Sequence, residues 1–277
     1  MSQPTTSPSP SALARRYGGP DADLPLQVNA TVELMLRHRS VRRYLAEPLP
    51  PGTLETLVAV AQSAPTSSNM QAWSVVAVEN PDRKRRLAEL AGPNPQIEAA
   101  PLVLVFVADL ARSRAIARAN GATGEGLDYL ESFLLAALDA AFAAQNAVTA
   151  LESLGLGSCY IGAMRNRPAE VAAELGLPSE CVAVFGLTVG VPDPEAGEDI
   201  KPRLAQSAVL HRERYGAPAD PRDLLDYDAR LRAFQRSQGM AERGWTEVVA
   251  GRIGTTEALK SRTRLAEVLR ELGFALR

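Results

Sequence analysis

Cysteine and histidine are almost missing from this chain, which has two of each in 277 residues. Cys159 and Cys181 build neither a disulfide framework nor a metal cluster, and His38 with His211 cannot make a multi-histidine metal site. No metal is expected, and the thiols read as packing groups of a protein kept in the reducing cytoplasm. An excess of one charge is missing too. Thirty Lys and Arg against 32 Asp and Glu leave a net charge of −2, which argues against a nucleic-acid partner. Long hydrophobic runs are also lacking. The most apolar one, Phe133 to Ala144, is cut by Asp139 and closes on Gln145-Asn146, short of the ~20 residues a bilayer span needs, so no membrane contact is expected. Residues 1–27 hold no apolar segment of signal type, and Arg15-Arg16 is followed by Tyr-Gly-Gly-Pro-Asp, which does not fit an export signal.

What the chain does have is 46% hydrophobic residues, enough for a substantial core in one large domain or two small ones. Against the balanced charge, one stretch is locally cationic: Arg37-His38-Arg39-Ser40-Val41-Arg42-Arg43-Tyr44. Val41 and Tyr44 do not suit a loose tail, and the turn Glu47-Pro48-Leu49-Pro50-Pro51 follows at once. Arg offers a planar fork of donors and Ser a short adjustable one, so the run reads as an ordered anion site. A solvated charged face is the competing reading, and spacing alone weighs the two evenly. Lys201-Pro202-Arg203, stiffened by its proline, is a further basic pair far away in sequence.

Residues 1–27, rich in Ser, Pro, Thr and Gly, read as a disordered or loosely attached tail. Thr31 then caps a short helix that delivers the chain to His38, and Pro51 to Ala64 reads as a second helix. The polar stretch from Thr66 to Gln71 is a loop rich in hydrogen-bond donors. Ser74 to Val78 and the wholly apolar Leu102 to Ala108 are strands, with a charged helix from Arg83 to Ala91 between them. Gly121, Gly124 and Gly126 do not make a G-x-G-x-x-G fingerprint. From Tyr129 to Leu154 runs the longest helical pattern, apolar on several sides, as suits the centre of a domain or an oligomer. Gly155 closes it as a C′ residue, and Gly157 and Gly162 would let backbone approach a flat ligand. A helix over Pro168 to Leu175, a strand over Val182 to Val191 and helices over Leu224 to Gln238 and Leu259 to Leu272 complete the chain. Arg236 to Trp245 reads as a mobile loop, and Trp73 as a core residue.

Four motifs occur in order: His38-Arg39-Ser40-Val41-Arg42, Thr66-Ser67-Ser68-Asn69-Met70-Gln71, Leu154-Gly155-Leu156-Gly157 with Tyr160-Ile161-Gly162, and Lys201-Pro202-Arg203-Leu204. Together they resemble the nitroreductase superfamily, in particular the oxygen-insensitive NADPH nitroreductases and NADPH–flavin oxidoreductases, from about Val32 to the C-terminus. The resemblance implies an α+β fold with a central, mostly antiparallel sheet flanked by helices, in an intertwined homodimer. One FMN domain over 28–277 is expected, with a helical excursion over 205–277. It further implies that His38, Arg39, Ser40, Lys201 and Arg203 surround the FMN phosphate and ribityl chain. Arg42 lies at N1 and O2 of the ring, where a fixed cation stabilises the reduced form. Thr66, Ser67, Ser68, Gln71 and the backbone of Tyr160, Ile161 and Gly162 line the ring. The chain departs from the family at Asn94, where Gln is frequent, and at Ala163, where Gly is. Arg236 matches the first of two arginines that hold the 2′-phosphate of NADPH, but the second position is Ala241, with Arg243 two residues on. NADPH is thus the expected co-substrate, with NADH possible. No side-chain nucleophile is called for, because the flavin carries the hard step. The implied activity is two-electron transfer by a ping-pong hydride mechanism to nitroaromatics, quinones and related small acceptors. The competing readings are a reductase that supplies reduced FMN and a flavin-binding sensor without turnover.

Overall fold

The strand Leu102–Asp109 is buried along its whole length, and two hydrophobic layers are built on its two faces. Strand side chains alternate, so Leu102, Leu104 and Phe106 join one core while Val103 and Val105 join another. That is why the segment reads as apolar without alternation.

The protein is described from a computed structural model over residues 10–18, 24–217 and 219–277. In chain order these form α1 (Pro10–Arg16), α2 (Ala30–Leu36), α3 (Thr53–Gln62), β1 (Trp73–Val78), α4 (Pro81–Ala91) and α5 (Pro95–Ala99). Next come β2 (Leu102–Asp109), α6 (Ala111–Ala119), α7 (Leu130–Ser153), β3 (Gly157–Ile161), α8 (Pro168–Leu175) and β4 (Cys181–Gly190). The chain ends with α9 (Pro221–Ser237), α10 (Trp245–Ile253) and α11 (Leu265–Glu271). It divides into two compact units, Met1–Arg39 with Gly197–Leu259, and Ser40–Ala196 with Lys260–Arg277. The division differs from the single domain expected over 28–277: of the C-terminal segment, only part groups apart from the sheet.

In the larger unit, the four strands found among the described residues form one antiparallel sheet in the order β1-β2-β4-β3. α7 covers one face with Ala136, Ala140, Ala143, Ala144 and Ala147, small side chains that let the helix lie close, and α3 packs beside it through Leu57 and Ala61. The other face is covered by α4, α5 and α8 through Leu87, Ile97 and Val171. Trp73 stacks on Phe106 with ring centroids 6.0 Å apart, a core role as expected. By length and composition alone, α7 would pass for a membrane span, a test that core helices of globular proteins also pass.

No strand was expected over Gly157–Ile161. Those residues pair with β4, and the room that glycine leaves there is taken by protein rather than by a ligand. A Cβ on Gly157 would stand 2.6 Å from Val41, and one on Gly190 would stand 2.6 Å from Tyr44. Val41 donates its N–H to Ser158 at 2.8 Å, and the Tyr44 hydroxyl lies 2.6 Å from the Val41 carbonyl and 2.7 Å from Thr188. The Ser40–Tyr44 stretch is thereby fastened to the sheet edge, with Val41 buried and Arg42 exposed.

In the other unit, α2 is capped by Asn29, whose side chain accepts from Val32 at 2.9 Å, rather than by Thr31. The expected loose tail contains a helix, α1. Its Ala-Leu-Ala-Arg-Arg core favours helix, and Ala12 and Leu13 are buried, a signal diluted by the Ser and Pro around it. Residues 1–9 and 19–23 of that stretch lie outside the described residues.

On the sheet-facing side of α7 sits one carboxylate. Asp139 is 1% exposed and accepts the backbone N–H groups of Ser67 and Ala72, each at 3.1 Å. It closes the loop between α3 and β1 from below. Replacing Asp139 by Ala strands two amides and should cost on the order of 2–4 kcal/mol of unfolding free energy, with Asn losing about half as much. Urea denaturation with an unchanged midpoint for the Ala variant would show that the loop is held by other means.

Candidate functional site

The basic run crosses the boundary between the two units, with His38 and Arg39 in one and Ser40 and Arg42 in the other. In the unit that holds His38, the organising group is Arg16. Its guanidinium donates to the carbonyls of Lys201 at 2.9 Å, Leu36 at 2.9 Å and His38 at 2.6 Å. Its own carbonyl accepts the N–H of Arg203 at 2.7 Å. The carbonyl between these, that of Pro202, accepts the Tyr227 hydroxyl at 3.0 Å. Two short segments remote in sequence are thus stitched side by side, and they present Arg39, Lys201 and Arg203 as exposed side chains with His38 half-buried.

Positive charge accumulates there. Burial pushes the Tyr227 phenol above its ordinary pKa, against the pull of Arg203, Arg230 and Arg16. The Arg230 guanidinium lies 5.6 Å from the Tyr227 ring centroid, and its Nη1 is buried without a hydrogen-bond partner. A cluster of guanidinium and ammonium groups with a spare buried donor suits a doubly charged phosphomonoester, so the donor set fits the phosphate end of FMN.

In the sheet unit, Thr66 is extended and half-buried, while Ser68, Asn69 and Gln71 all lie in the left-handed region at φ 48°, 54° and 49°. Three non-glycine residues with positive φ in four positions represent stored backbone strain, and strain of this kind gathers at functional loops. Besides Asp139, the loop is tied by Arg112, which donates to the Gln71 carbonyl at 2.9 Å. Ser67, Ser68 and Gln71 remain exposed. Ser68, Asn69 and Met70 also border a cavity of about 550 Å³ whose far side is Ile116, Ala117 and Leu127.

The remaining predicted residues of this unit are placed individually. Tyr160 is 38% exposed, with its ring edge-on to Phe185 at 5.2 Å. Ile161 is buried and Ala163 packs against the same core, which leaves their backbone rather than their side chains for a ligand. A Cβ on Gly162 would meet Arg165 at 3.3 Å, so the space there faces a guanidinium. The Asn94 amide is committed to its own turn: it donates to the Ala91 carbonyl at 3.3 Å and to that of Gly92, and accepts from Gln96 at 3.2 Å. Arg42 bonds weakly to the Ser40 carbonyl at 3.4 Å. Cys181 is buried with its thiol pushed up to about 12, by burial first and by Asp109 second, and Cys159 is buried as well.

Arg236 was read as part of a mobile loop, and the loop proves to be fastened. Its guanidinium forms a double bridge to Glu242, 2.8 Å on each arm. The N–H of Arg243 donates to Gln235 at 2.7 Å, and buried Asp228 accepts from Thr246 at 2.9 Å just beyond Gly244. Burial pushes the Asp228 carboxyl up, but the Thr246 bonds and Arg232 together hold it below the ordinary range. Trp245 opens α10, a helix that sequence reasoning missed, and meets Tyr227 edge-on at 5.7 Å.

Three contributors went unread in the sequence. Asp139 was noted only as a break in an apolar run, although a lone carboxylate in an alanine-rich helix is a signal for a backbone clamp. Arg16 was lost in the tail composition. Glu242 follows Arg236 by six residues, outside any helical spacing that would flag the pair.

Two family models match consecutive parts of the chain. The model described as "Nitroreductase family" matches residues 35–191, and "Nitroreductase family, C-terminal domain" matches residues 201–277. The chain is 37% identical over 252 residues to "FMN reductase (NADPH)" of Bacillus subtilis (strain 168), covering 89% of this chain and 99% of that protein. It is 33% identical to "NADPH-flavin oxidoreductase" of Vibrio harveyi, over 90% of this chain and 100% of that one. Among solved structures, B. megaterium NfrA2 superposes with a TM-score of 0.84 at 36% identity, over 90% of this chain and 100% of that chain. With both parts of the chain matched in order and the antiparallel sheet in place, the chain belongs to the nitroreductase family.

Proposed function

We propose that this chain is an FMN-dependent oxidoreductase that moves two electrons from NAD(P)H to small acceptors such as nitroaromatics and quinones. The observation that carries the reading is the gathering of Arg39, Lys201 and Arg203 onto two segments tied together by Arg16. Such a cluster has little use without a polyanion, and the phosphate of FMN is one. When bound, FMN supplies the redox chemistry, accepting hydride from NAD(P)H and handing electrons to the acceptor. The chain's own residues bind and orient. His38, Arg39, Ser40, Lys201 and Arg203 hold the phosphate and ribityl chain. Arg42 favours negative charge at N1 and O2. Thr66, Ser67, Ser68, Gln71, Asn94 and the backbone from Tyr160 to Ala163 line the ring.

The relatives named for FMN reduction and flavin oxidoreduction favour free flavin as one further acceptor. A homodimer is supported by α7, where Leu130, Leu134, Leu138 and Phe142 follow one another every fourth residue on an exposed face. Free, buried cysteines suit the reducing cytoplasm, where we place the protein.

The purified chain should be yellow, and anaerobic NADPH should bleach it in stopped flow, with a quinone restoring the colour. A colourless protein that takes up no FMN overturns the proposal. Leu134→Glu combined with Leu138→Glu should convert a dimer to a monomer in sedimentation. A wild-type mass of one chain would remove the dimer from the reading.

The Arg236–Glu242 bridge sets nucleotide preference in this reading, because a 2′-phosphate has to displace the carboxylate to use the guanidinium fork. Arg236→Ala should raise KM for NADPH roughly tenfold, and Glu242→Gln should lower it, with KM for NADH unmoved in both. Equal responses of the two nucleotides would show that Arg236 does not meet the 2′-phosphate.

A further inference from the structure

Arg16 lies outside the residues matched by either family model, which begin at 35 and at 201, yet it is 6% exposed and holds the backbone of both basic segments. A buried guanidinium is tolerated only where its donors are spent. Here they are spent on the carbonyls of Leu36, His38 and Lys201, the last of these 185 residues away. The backbone carbonyl of Arg16 receives the Arg203 N–H, so the same residue touches both segments through side chain and main chain.

Two effects on a bound anion follow. Carbonyl oxygens that accept from Arg16 are kept from facing a phosphate, where their lone pairs would repel it. The planar fork also sets the spacing between the His38–Arg39 and Lys201–Arg203 backbones, which a single-point donor would leave adjustable. Leu13 and Ala12 anchor the helix that delivers the fork, and Arg15 pins its rim through a 2.9 Å bridge to Asp199.

We propose that α1 is a brace for the phosphate end of the flavin site and that Arg16 is its positioning residue, governing how firmly FMN is retained without touching it. The inference rests on the function proposed above. It departs from that function in assigning the grip on FMN to a segment that precedes the family match.

The test compares FMN with riboflavin, which has the same ring and no phosphate. Binding is followed by quenching of flavin fluorescence on the full-length apoprotein, for wild type, Arg16→Ala and Arg16→Lys. Arg16→Ala should weaken FMN roughly tenfold or more and speed its release, with riboflavin affinity unchanged. Arg16→Lys, which retains the charge without the fork, should fall between and guards against a variant that fails to fold. A mere loss of stability would weaken both flavins alike, and that result, or an FMN affinity that neither variant alters, overturns the brace. A wild-type chain that binds neither flavin instead overturns the proposed function, and this inference with it.

Discussion

Backbone groups that no helix or strand satisfies must be met by something else, and in this protein buried charged side chains such as Asp139 and Arg16 meet some of them. Asp139 takes the amides of Ser67 and Ala72, and Arg16 takes the carbonyls of Leu36, His38 and Lys201. In each case a charge is repaid by several short polar contacts, which is the condition under which burial is tolerated. The two devices have opposite sign because they serve opposite ends of the peptide group. Each holds a segment that leaves regular structure, and those segments carry most of the polar residues assigned to flavin.

The sheet was largely legible. Leu102 to Asp109 announces a central strand by being apolar at every position, and the alanine-rich stretch from Leu130 announces a long packed helix. Resemblance supplied the antiparallel arrangement, which the strand order agrees with. Less legible was whatever depends on partners far away in sequence. Gly157-Ser-Cys-Tyr-Ile161 has only five residues and opens on glycine, so its strand character arises from pairing with Leu187 and its neighbours rather than from propensity. Gly157 was read as space for a ligand, whereas Val41 fills it, a contact between residues more than a hundred positions apart that no local pattern encodes.

The candidate site divides along similar lines. The identity of the basic residues was plain, because Arg, His and Lys clusters stand out against a near-neutral background. What fixes their backbone was hidden, since Arg16 sits in a stretch whose Ser and Pro content argues for disorder. At Arg236 the reverse holds: the residue was visible and its partner Glu242 was not. Asn94 was flagged for being one methylene short of glutamine, and its amide is occupied by its own turn.

α7 carries Asp139 on one side and Leu134 and Leu138 on the other, separated by no more than the width of the helix, about 10 Å. One helix thus backs both the exposed apolar stripe and the strained serine loop.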